Sequence, residues 1–391
     1  MDIGAPATKS SKMRWVILFT ALLAYVAWAF SFQIAPPLLP TIVSEFKISN
    51  AEAGFLMSAV LIPGIILSIP VSIAMDRFGV RLTGCIALIC VVASSFLTAT
   101  ATSFATLLIG RLLLGIGGSF ILIITPAIVP QWFNREELGK AMGIFAVNMP
   151  LATVVAFPIG SALVISLGWR YAFYVSLVLG IVATALYLVL VREGPMSGRG
   201  KGIGNLSSFR NAELWKVGVA WLFFNGALLS FSTWAPTLFI SYKGFSTINA
   251  SLYASILSWI TIFCVPLFGL LSDRIGRRKL LLVVGATAVC FVEVAMAYSS
   301  GLTLIVLILV LGFAASMIPG TIQTLPSEML GPSMAGVGFA VLGICGNIGI
   351  AATQPLAGLI LDATGSYSLS LLSMAIFGAL CAITAYMLKS K

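Results

Sequence analysis

Twelve long apolar segments alternate along this chain with short polar ones. The apolar residues show no strand-like alternation, and each segment reaches or exceeds the roughly 20 residues that an α-helix needs to cross a bilayer. We therefore predict twelve membrane-spanning helices, called helices 1 to 12 below. Their predicted ranges are 15–36, 50–75, 82–101, 104–129, 138–166, 169–191, 215–240, 247–271, 279–298, 302–326, 333–361 and 368–388.

One polar segment, 192–214, is much longer than the others and is rich in Gly, Arg and Lys. It has no apolar periodicity, which is typical of a flexible linker. Its glycines do not form a nucleotide-binding loop, because no strand precedes them and the Gly-Lys-Ser/Thr ending is missing. The predicted organisation is a tail at 1–13, a six-helix bundle at 14–191, the linker at 192–214 and a second six-helix bundle at 215–388.

The two predicted bundles carry the same local sequences at the same places. The hairpin Asp-Arg-Phe-Gly-Val-Arg at 76–81 returns as Asp-Arg-Ile-Gly-Arg-Arg at 273–278, 197 residues later. The same offset relates TLLIGRLLLG at 106–115 to TLIVLILVLG at 303–312, and Pro158 to Pro355. We therefore predict an all-α membrane protein built as two pseudo-symmetric six-helix bundles, an architecture typical of carriers with a solute site between the repeats.

Composition agrees with a protein that lies in a lipid bilayer. The chain is 60% hydrophobic and 9% charged, against about 25% charged in a typical soluble domain. A soluble fold of 391 residues could not cover so much apolar surface with polar groups. The bilayer is therefore the expected solvent of most of the chain.

The net charge of +10 indicates orientation and not nucleic-acid binding. Eighteen of the 22 Lys and Arg residues fall in segments on the same side as the two termini, whereas Lys47, Arg170 and Lys243 fall on the other side. This asymmetry places both termini in the cytoplasm. We expect a monomer in the plasma membrane with no nucleic-acid partner.

The residue inventory argues against an enzyme and against a metal site. The chain has no histidine, and its six cysteines lie in apolar segments without a CxxC pair. Cysteines in such positions behave as small hydrophobic residues. No nucleophile–base pair or ligand cluster is present in the loops, so we expect neither catalysis nor a cofactor.

The repeated hairpins resemble the loop signature of the major facilitator superfamily. The second copy matches that signature fully, with Gly269 four residues before Asp273. The first has Ser72 in that place and Val80 where a cation is usual. The run from Arg111 to Gly117 resembles the family's motif in helix 4. The resemblance covers residues 14–388 and implies two rocking halves whose helices 1, 4, 7 and 10 line a central cavity.

The hairpins are predicted to form a gate on the cytoplasmic face. An aspartate at the end of helix 2 or helix 8 can meet the positive N-terminal end of helix 11 or helix 5 in the other half. The arginines can pair with acids such as Glu136 and Glu137. The alternative is that the basic residues only anchor the loops. The predicted gate residues are Asp76, Arg77, Arg81, Asp273, Arg274, Arg277 and Arg278.

Two ionisable side chains lie well inside the predicted spans, where a charge is costly and therefore marks a functional candidate. Arg111 of helix 4 either binds an anionic or carbonyl-bearing solute in the cavity or caps backbone carbonyls within its own half. Glu293 of helix 9 lies in surroundings that disfavour the charged carboxylate. It is either a proton-coupling site or a structural group near the outer interface.

Uncharged polar residues on the cavity helices complete the predicted solute site. Asparagine or glutamine in mid-helix also commonly bonds a neighbouring helix, and Trp or Tyr near a helix end commonly lies in the interface belt. The predicted solute-binding residues are Arg111, Tyr25, Gln33, Asn225, Trp234 and Gln323.

The expected function is secondary active transport of a small organic solute by alternating access, coupled to protons. With one cation inside the spans, an organic anion is slightly favoured. A multidrug/proton antiporter is an alternative, although the Gly-Pro pair that many such exporters carry in helix 5 is absent. A membrane sensor on the same fold is another, although 192–214 is too short for a regulatory domain. A channel is a third alternative.

Overall fold

The computed structural model describes residues 9–194, 211–330 and 335–388, and these residues contain helices and no strand. Twelve of the helices are long and apolar enough to cross a membrane. The prediction of an all-α membrane protein with twelve spanning helices in two halves is confirmed. Most of the predicted linker, the first part of the N-terminal tail and the last three residues lie outside the described part of the chain.

The helices have the following bounds. Helix 1 is Lys9–Gln33 and is extended by Pro36–Leu38 and Leu39–Phe46; helix 2 begins as Asn50–Ser58 and continues into Ile62–Ala99, which also contains helix 3; helix 4 is Phe104–Trp132; helix 5 is Arg135–Phe145 with Asn148–Ser166; helix 6 is Trp169–Leu190; helix 7 is Ala212–Ser241; helix 8 is Thr247–Ile275; helix 9 is Arg278–Tyr298; helix 10 is Gly301–Ser316 with Pro319–Ile322 and Leu325–Leu330; helix 11 is Ala335–Thr364; helix 12 is Tyr367–Tyr386.

Several spans that the hydropathy pattern predicts as continuous are interrupted. Helix 2 is interrupted between Ser58 and Ile62, just before Pro63. Helix 5 is interrupted between Phe145 and Asn148, just before Pro150. Helix 10 is interrupted after Ser316 and begins again at Pro319. Proline removes one backbone donor and clashes with the preceding turn. Neighbouring helices can satisfy the freed carbonyls in a membrane, so these breaks are tolerated there.

The backbone repeats the internal symmetry of the sequence. Gly79 and Gly276, which are 197 residues apart, both have positive φ, at 78° and 67°. Gly168 and Gly365 show the same relation, with φ of 100° and 64°. A residue with a side chain is strained in this region, so each hairpin and each return turn requires glycine. The duplicated turns therefore share a positive φ at the glycine, although ψ differs, at 166° for Gly79 and 0° for Gly276.

In each half, a tryptophan of the first helix bonds to the backbone of another helix of the same half. The Nε1 atom of Trp28 in helix 1 donates to the carbonyl of Leu114 in helix 4, at 3.1 Å. Trp234 in helix 7 donates to the carbonyl of Gln354 in helix 11, also at 3.1 Å.

Large apolar side chains cover the outside of the molecule, as illustrated by Val189 and Phe291, each 69% exposed. Such a surface requires lipid around it.

Candidate functional site: the seam between the two halves

Helices 2 and 11 come from different halves and meet at the face opposite the two termini, called the outer face below. The carboxylate of Asp362, near the end of helix 11, accepts hydrogen bonds from the backbone N–H groups of Asn50 and Ala51, at 3.0 and 2.8 Å. The Nδ2 atom of Asn50 donates to the same carboxylate at 2.7 Å. These three bonds join the two halves at the outer face.

Backbone packs against backbone just below this contact. A Cβ atom on Gly54 of helix 2 would lie 2.4 Å from the carbonyl oxygen of Gln354, and one on Gly358 of helix 11 would lie 2.2 Å from that of Asn50. Neither position has room for a side chain. The two glycines therefore let helices 2 and 11 approach more closely than any other residue would allow.

The contact continues towards the middle of the membrane. The hydroxyl of Ser58 donates to the side-chain oxygen of Gln354 at 3.3 Å, and both groups are buried. Six residues further along helix 2, a Cβ atom on Gly64 would lie 2.9 Å from the Nδ2 atom of Asn347. We call this row of contacts, from Asn50 and Asp362 to Gly64 and Asn347, the outer seam.

Beyond Asn347 the helices diverge towards the inner face, where the termini lie. Gly343 of helix 11 and Gly143 of helix 5 are exposed, and no heavy atom comes within 4 Å of a Cβ atom built on either. The ion pairs between described residues each stay within one half; examples are Arg14–Glu137 and Arg278–Glu328. The molecule is thus closed at its outer face and open at its inner face.

The predicted solute-binding residues do not form a single cluster. Gln33 donates to Thr153 of helix 5, and Trp234 donates to helix 11, so both are buried within their own half. Tyr25 is half-buried, and its ring centroid lies 5.7 Å from that of Trp28. Asn225 donates to the carbonyl of Trp221 at 2.7 Å. Gln323 is exposed in the break after Ile322.

Arg111 lies inside the first half with 1% of its surface exposed. Its Nη1 atom donates to the carbonyl of Ser31 in helix 1 at 3.1 Å, and its guanidinium carbon lies 5.1 Å from the ring centroid of Phe173 in helix 6. Its Nε and Nη2 atoms have no hydrogen-bond partner among the described residues. A solute cannot reach the guanidinium group in this conformation.

Glu293 is fully buried in helix 9, which packs against helix 12. Neither carboxyl oxygen has a hydrogen-bond partner in the described part of the chain. Burial of an isolated carboxylate in such surroundings is costly. The structure thus holds a protonatable side chain that is out of contact with water.

The predicted gate residues lie on the inner face, where the halves are apart. Arg77, Arg274 and Arg277 are exposed; Arg81 donates to the carbonyl of Leu188 at 2.7 Å. Arg278 pairs with Glu328 at 2.7 Å within the second half. Glu137 pairs with Arg14 and not with a hairpin arginine. The side chains of Asp76, Asp273 and Glu136 lie outside the described part of the structure.

The inner end of the outer seam brings together polar groups that the sequence analysis did not combine. A Cβ atom on Gly346 would lie 2.9 Å from Trp221 Nε1 and 3.6 Å from Asn225 Nδ2. Next to Gly346 is Asn347, which faces Gly64, and a Cβ atom on Gly64 would also lie 3.9 Å from Ser119 Oγ. The periodicity of a sequence does not show which residues of different helices lie at the same depth in the membrane. This group of side chains is therefore visible only in the structure.

The family model described as Major Facilitator Superfamily matches residues 18–353 and 248–391. The chain is 25% identical to a "Probable nitrate/nitrite antiporter" of Thermus thermophilus over 69% of its own length and 63% of that protein. It is 24% identical to a "Hexuronate transporter" of Bacillus subtilis, over 88% of each chain. It is 22% identical to a "Probable nitrate transporter" of Staphylococcus epidermidis, over 94% of this chain and 95% of the other.

The fold is similar to that of a bacterial homologue of the human lysosomal transporter Spinster in an inward-facing, occupied conformation. The TM-score is 0.79 at 19% sequence identity, with 98% of this chain and 97% of the other covered. At this identity the likeness concerns the fold.

Proposed function

Because this chain belongs to the major facilitator superfamily, we propose that it is a secondary carrier that moves a small solute across the membrane by alternating access. The observation that carries the proposal is the asymmetry of the seam: helices 2 and 11 touch at the outer face and diverge at the inner face. A carrier needs this arrangement in one half of its cycle and the reverse in the other. No step requires nucleotide hydrolysis or a cofactor.

The solute is placed at the inner end of the outer seam, among Asn225, Asn347 and Trp221. Asn347 faces Gly64 of the other half where the two halves begin to part, and Trp221 and Asn225 lie beside its neighbour Gly346, so a molecule entering from the inner face would meet this group at the end of its path. Their amide and indole groups donate hydrogen bonds, which suits a solute rich in acceptors. Tyr25 and Gln323 are further candidate contacts, while Gln33 and Trp234 hold the helices in place.

A small anion is the favoured solute class. The relatives named above carry nitrate, nitrite or hexuronate, all of them anions, which supports the same class here. Away from the helix ends, the described spans contain one cation, Arg111, which is buried in the first half. Its role is then to hold helices 1, 4 and 6 together and to raise the local potential, while neutral donors make the direct contacts.

Proton coupling is assigned to Glu293. Its carboxyl group is buried and without a partner among the described residues, so its protonation state would respond strongly to any opening that admits water. On the inner face, Asp76 and Asp273 with their neighbouring arginines would close the opening in the opposite conformation. The carrier works as a monomer in the cytoplasmic membrane with both termini inside, in keeping with the distribution of its basic residues.

Flux measurements in liposomes test the proposal. Purified protein is first screened for thermal stabilisation by nitrate, nitrite, glucuronate and galacturonate, because a ligand that binds the folded state raises its melting temperature. The stabilising compound is then supplied as a radiolabelled solute. Saturable uptake and counterflow are expected, and an imposed proton gradient should change the rate.

A variant that cannot close the outer seam provides the control. Gly54→Trp inserts a large side chain where the structure has no room for a Cβ atom, so it should bind at most weakly and transport nothing. Flux that rises linearly with concentration and survives this substitution would indicate a channel. Flux that ignores the proton gradient would remove the coupling assigned to Glu293.

A further inference from the structure

We propose that Asp362 is the outer latch of the transport cycle, a carboxylate that caps the start of helix 2 from the opposite half and holds the outer face closed. The inference rests on the proposed function only in requiring that the two halves move. Three observations support it: the hydrogen bonds of Asp362, the capping of helix 2 and the position of Asp362 in its own helix.

The start of helix 2 needs partners for its free backbone N–H groups. A capping box supplies two of them: the N–H of Ser49 donates to Glu52 Oε2 at 2.7 Å, and the N–H of Glu52 donates to Ser49 Oγ at 3.1 Å. The N–H groups of Asn50 and Ala51 remain, and each donates to one oxygen of Asp362. The first turn is thus completed by a residue of the other half.

Asp362 stabilises helix 2 and disfavours its own helix. It lies in the last turn of helix 11, where the negative end of the helix dipole repels a carboxylate, and no basic residue in that turn compensates. The positive N-terminal end of helix 2 attracts the same group. Contact between the halves therefore relieves an unfavourable position, so the carboxylate specifically favours the closed outer face.

The latch has a short range. The backbone of helix 11 at Gly358 lies directly against the carbonyl of Asn50, which brings the carboxylate within hydrogen-bond distance of the helix start. Hydrogen bonds weaken steeply beyond about 3.5 Å. An opening of a few ångströms at the outer face breaks all three bonds together and leaves Asp362 and the two N–H groups to water.

The same two helices carry the gate predicted for the inner face. There Asp76, at the inner end of helix 2, is predicted to meet the start of helix 11. At the outer face Asp362, at the end of helix 11, meets the start of helix 2. Helices 2 and 11 would then exchange carboxylate caps as the molecule changes conformation, one cap for each closed face.

Spin-label distances at the outer face test the latch without a substrate. The six native cysteines are replaced by serine or alanine, and single cysteines are introduced at Thr102 and Ser300, which are exposed in outer loops of different halves. Double electron–electron resonance on the full chain in nanodiscs then gives the distance distribution. The parent should show a dominant short distance.

Two substitutions weaken the latch in different ways. Asp362→Asn removes the charge. Asn50→Pro removes one backbone donor and the Asn50 amide, and proline suits this first helical position because the preceding Ser49 is extended, at φ −72° and ψ 162°. Each should raise the ratio of long to short distances about fivefold or more, as expected for loss of charge-assisted bonds. Glu45→Gln, which removes an outer carboxylate paired within one half, is the control and should leave the distance distribution unchanged.

The outcomes separate the latch from the proposed transport. Unchanged distances in both variants overturn the latch, even if the protein transports a solute. A shift in Asn50→Pro with unchanged distances in a folded Asp362→Asn protein would assign the effect to the helix start and also overturn the role of Asp362. If Asp362→Asn fails to fold, Asn50→Pro decides: shifted distances support the latch and unchanged distances overturn it. Shifted distances in a protein that carries no solute would leave the latch standing and remove the carrier function.

Discussion

The side-chain oxygen of Gln354 accepts a hydrogen bond from the hydroxyl of Ser58, 3.3 Å away, and this bond joins the two halves inside the membrane. The Nε2 atom of Gln354 donates to Thr233 of helix 7 at 2.9 Å. In the first half the roles are exchanged, because Gln33 of helix 1 donates to Thr153 of helix 5. The duplicated halves thus keep the same pair of bonded residue types, but one glutamine also reaches across the seam.

This difference predicts unequal effects for two similar substitutions. Gln354→Ala removes the bond to Ser58 and should shift the outer face towards opening about threefold, since a hydrogen bond within a membrane protein contributes roughly 0.6 kcal/mol on average. Gln33→Ala should lower the melting temperature without moving that equilibrium. The spin-label pair at Thr102 and Ser300 measures the first effect, and thermal unfolding in detergent measures the second. An equal shift in both variants would contradict the assigned roles.

Substitution of glycines in helices 2 and 11 should have opposite effects near the outer face and near the inner face. Gly54→Ala places a Cβ atom 2.4 Å from the carbonyl oxygen of Gln354, which cannot move away, so it should open the outer face and slow transport by tenfold or more. Gly343→Ala meets no atom within 4 Å and replaces glycine by a better helix former. It should leave the inward-facing state intact, stabilise the helix by up to about 1 kcal/mol, and hinder closure of the inner face.

Labelling of introduced cysteines distinguishes these outcomes. Ser58→Cys in a background without native cysteines reports access from the outer face, because Ser58 is 1% exposed in the closed seam. Gly54→Ala should increase its reaction with a membrane-impermeant maleimide, whereas Gly343→Ala should decrease it. If Gly54→Ala leaves the labelling rate unchanged, the close packing seen here is not maintained in the membrane.

The sequence predicted the helices and their duplication well because these depend on local properties. Twenty apolar residues can satisfy their backbone groups in lipid only as a helix, whatever surrounds them. Gly79 and Gly276 mark equivalent turns because a positive φ favours glycine at both places. The helix breaks near Pro63, Pro150 and Pro319 were the parts of the fold that hydropathy concealed, since these prolines lie in otherwise apolar runs.

The site was harder to predict because it depends on which residues of distant helices meet. Arg111 was recognised as a buried cation, but its position in the sequence does not say which face of helix 4 it occupies. The outer seam was not predicted, because Asp362 and Asn50 are ordinary polar residues at helix ends. They are 312 positions apart in the sequence, and only the fold brings them into contact.

Arg111 offers a direct test of a structural role against a solute-binding role. Arg111→Ala removes the bond to Ser31 and the contact with Phe173, so it should lower stability by roughly 3 kcal/mol. Arg111→Lys should not restore it, because a lysine lacks the planar group that stacks on the ring.

Arg170 provides a matched control for Arg111. It has an ion pair, a bond to the carbonyl of Ala101 and a ring contact with Trp169, but its side chain is 37% exposed. Arg170→Ala should therefore cost about 1 kcal/mol or less. Thermal unfolding and ligand binding are measured together. Lost binding in an Arg111→Ala protein of normal stability would show that Arg111 holds the solute.

Substitution of Glu293 by glutamine should change proton coupling and leave the stability of the fold unchanged. Glutamine has almost the same shape as a neutral glutamic acid, and the carboxyl group of Glu293 has no hydrogen bond to lose among the described residues. Glu293→Gln should therefore leave the free energy of unfolding within about 0.5 kcal/mol of the parent value. Glu45→Gln, which breaks contacts of 2.7 Å with both Arg170 and Trp169 at the outer face, should lower it by up to about 1 kcal/mol.

The same Glu293 variant separates coupling from solute exchange. A carrier that can no longer protonate this position should still exchange solute for solute, because exchange needs only the movement of the loaded halves. It should fail to accumulate solute when a proton gradient is imposed. Counterflow and gradient-driven uptake, measured on the same liposomes, give the two rates. Loss of both rates in a stable protein would place Glu293 in the conformational change itself, and retention of both would move the proton site elsewhere.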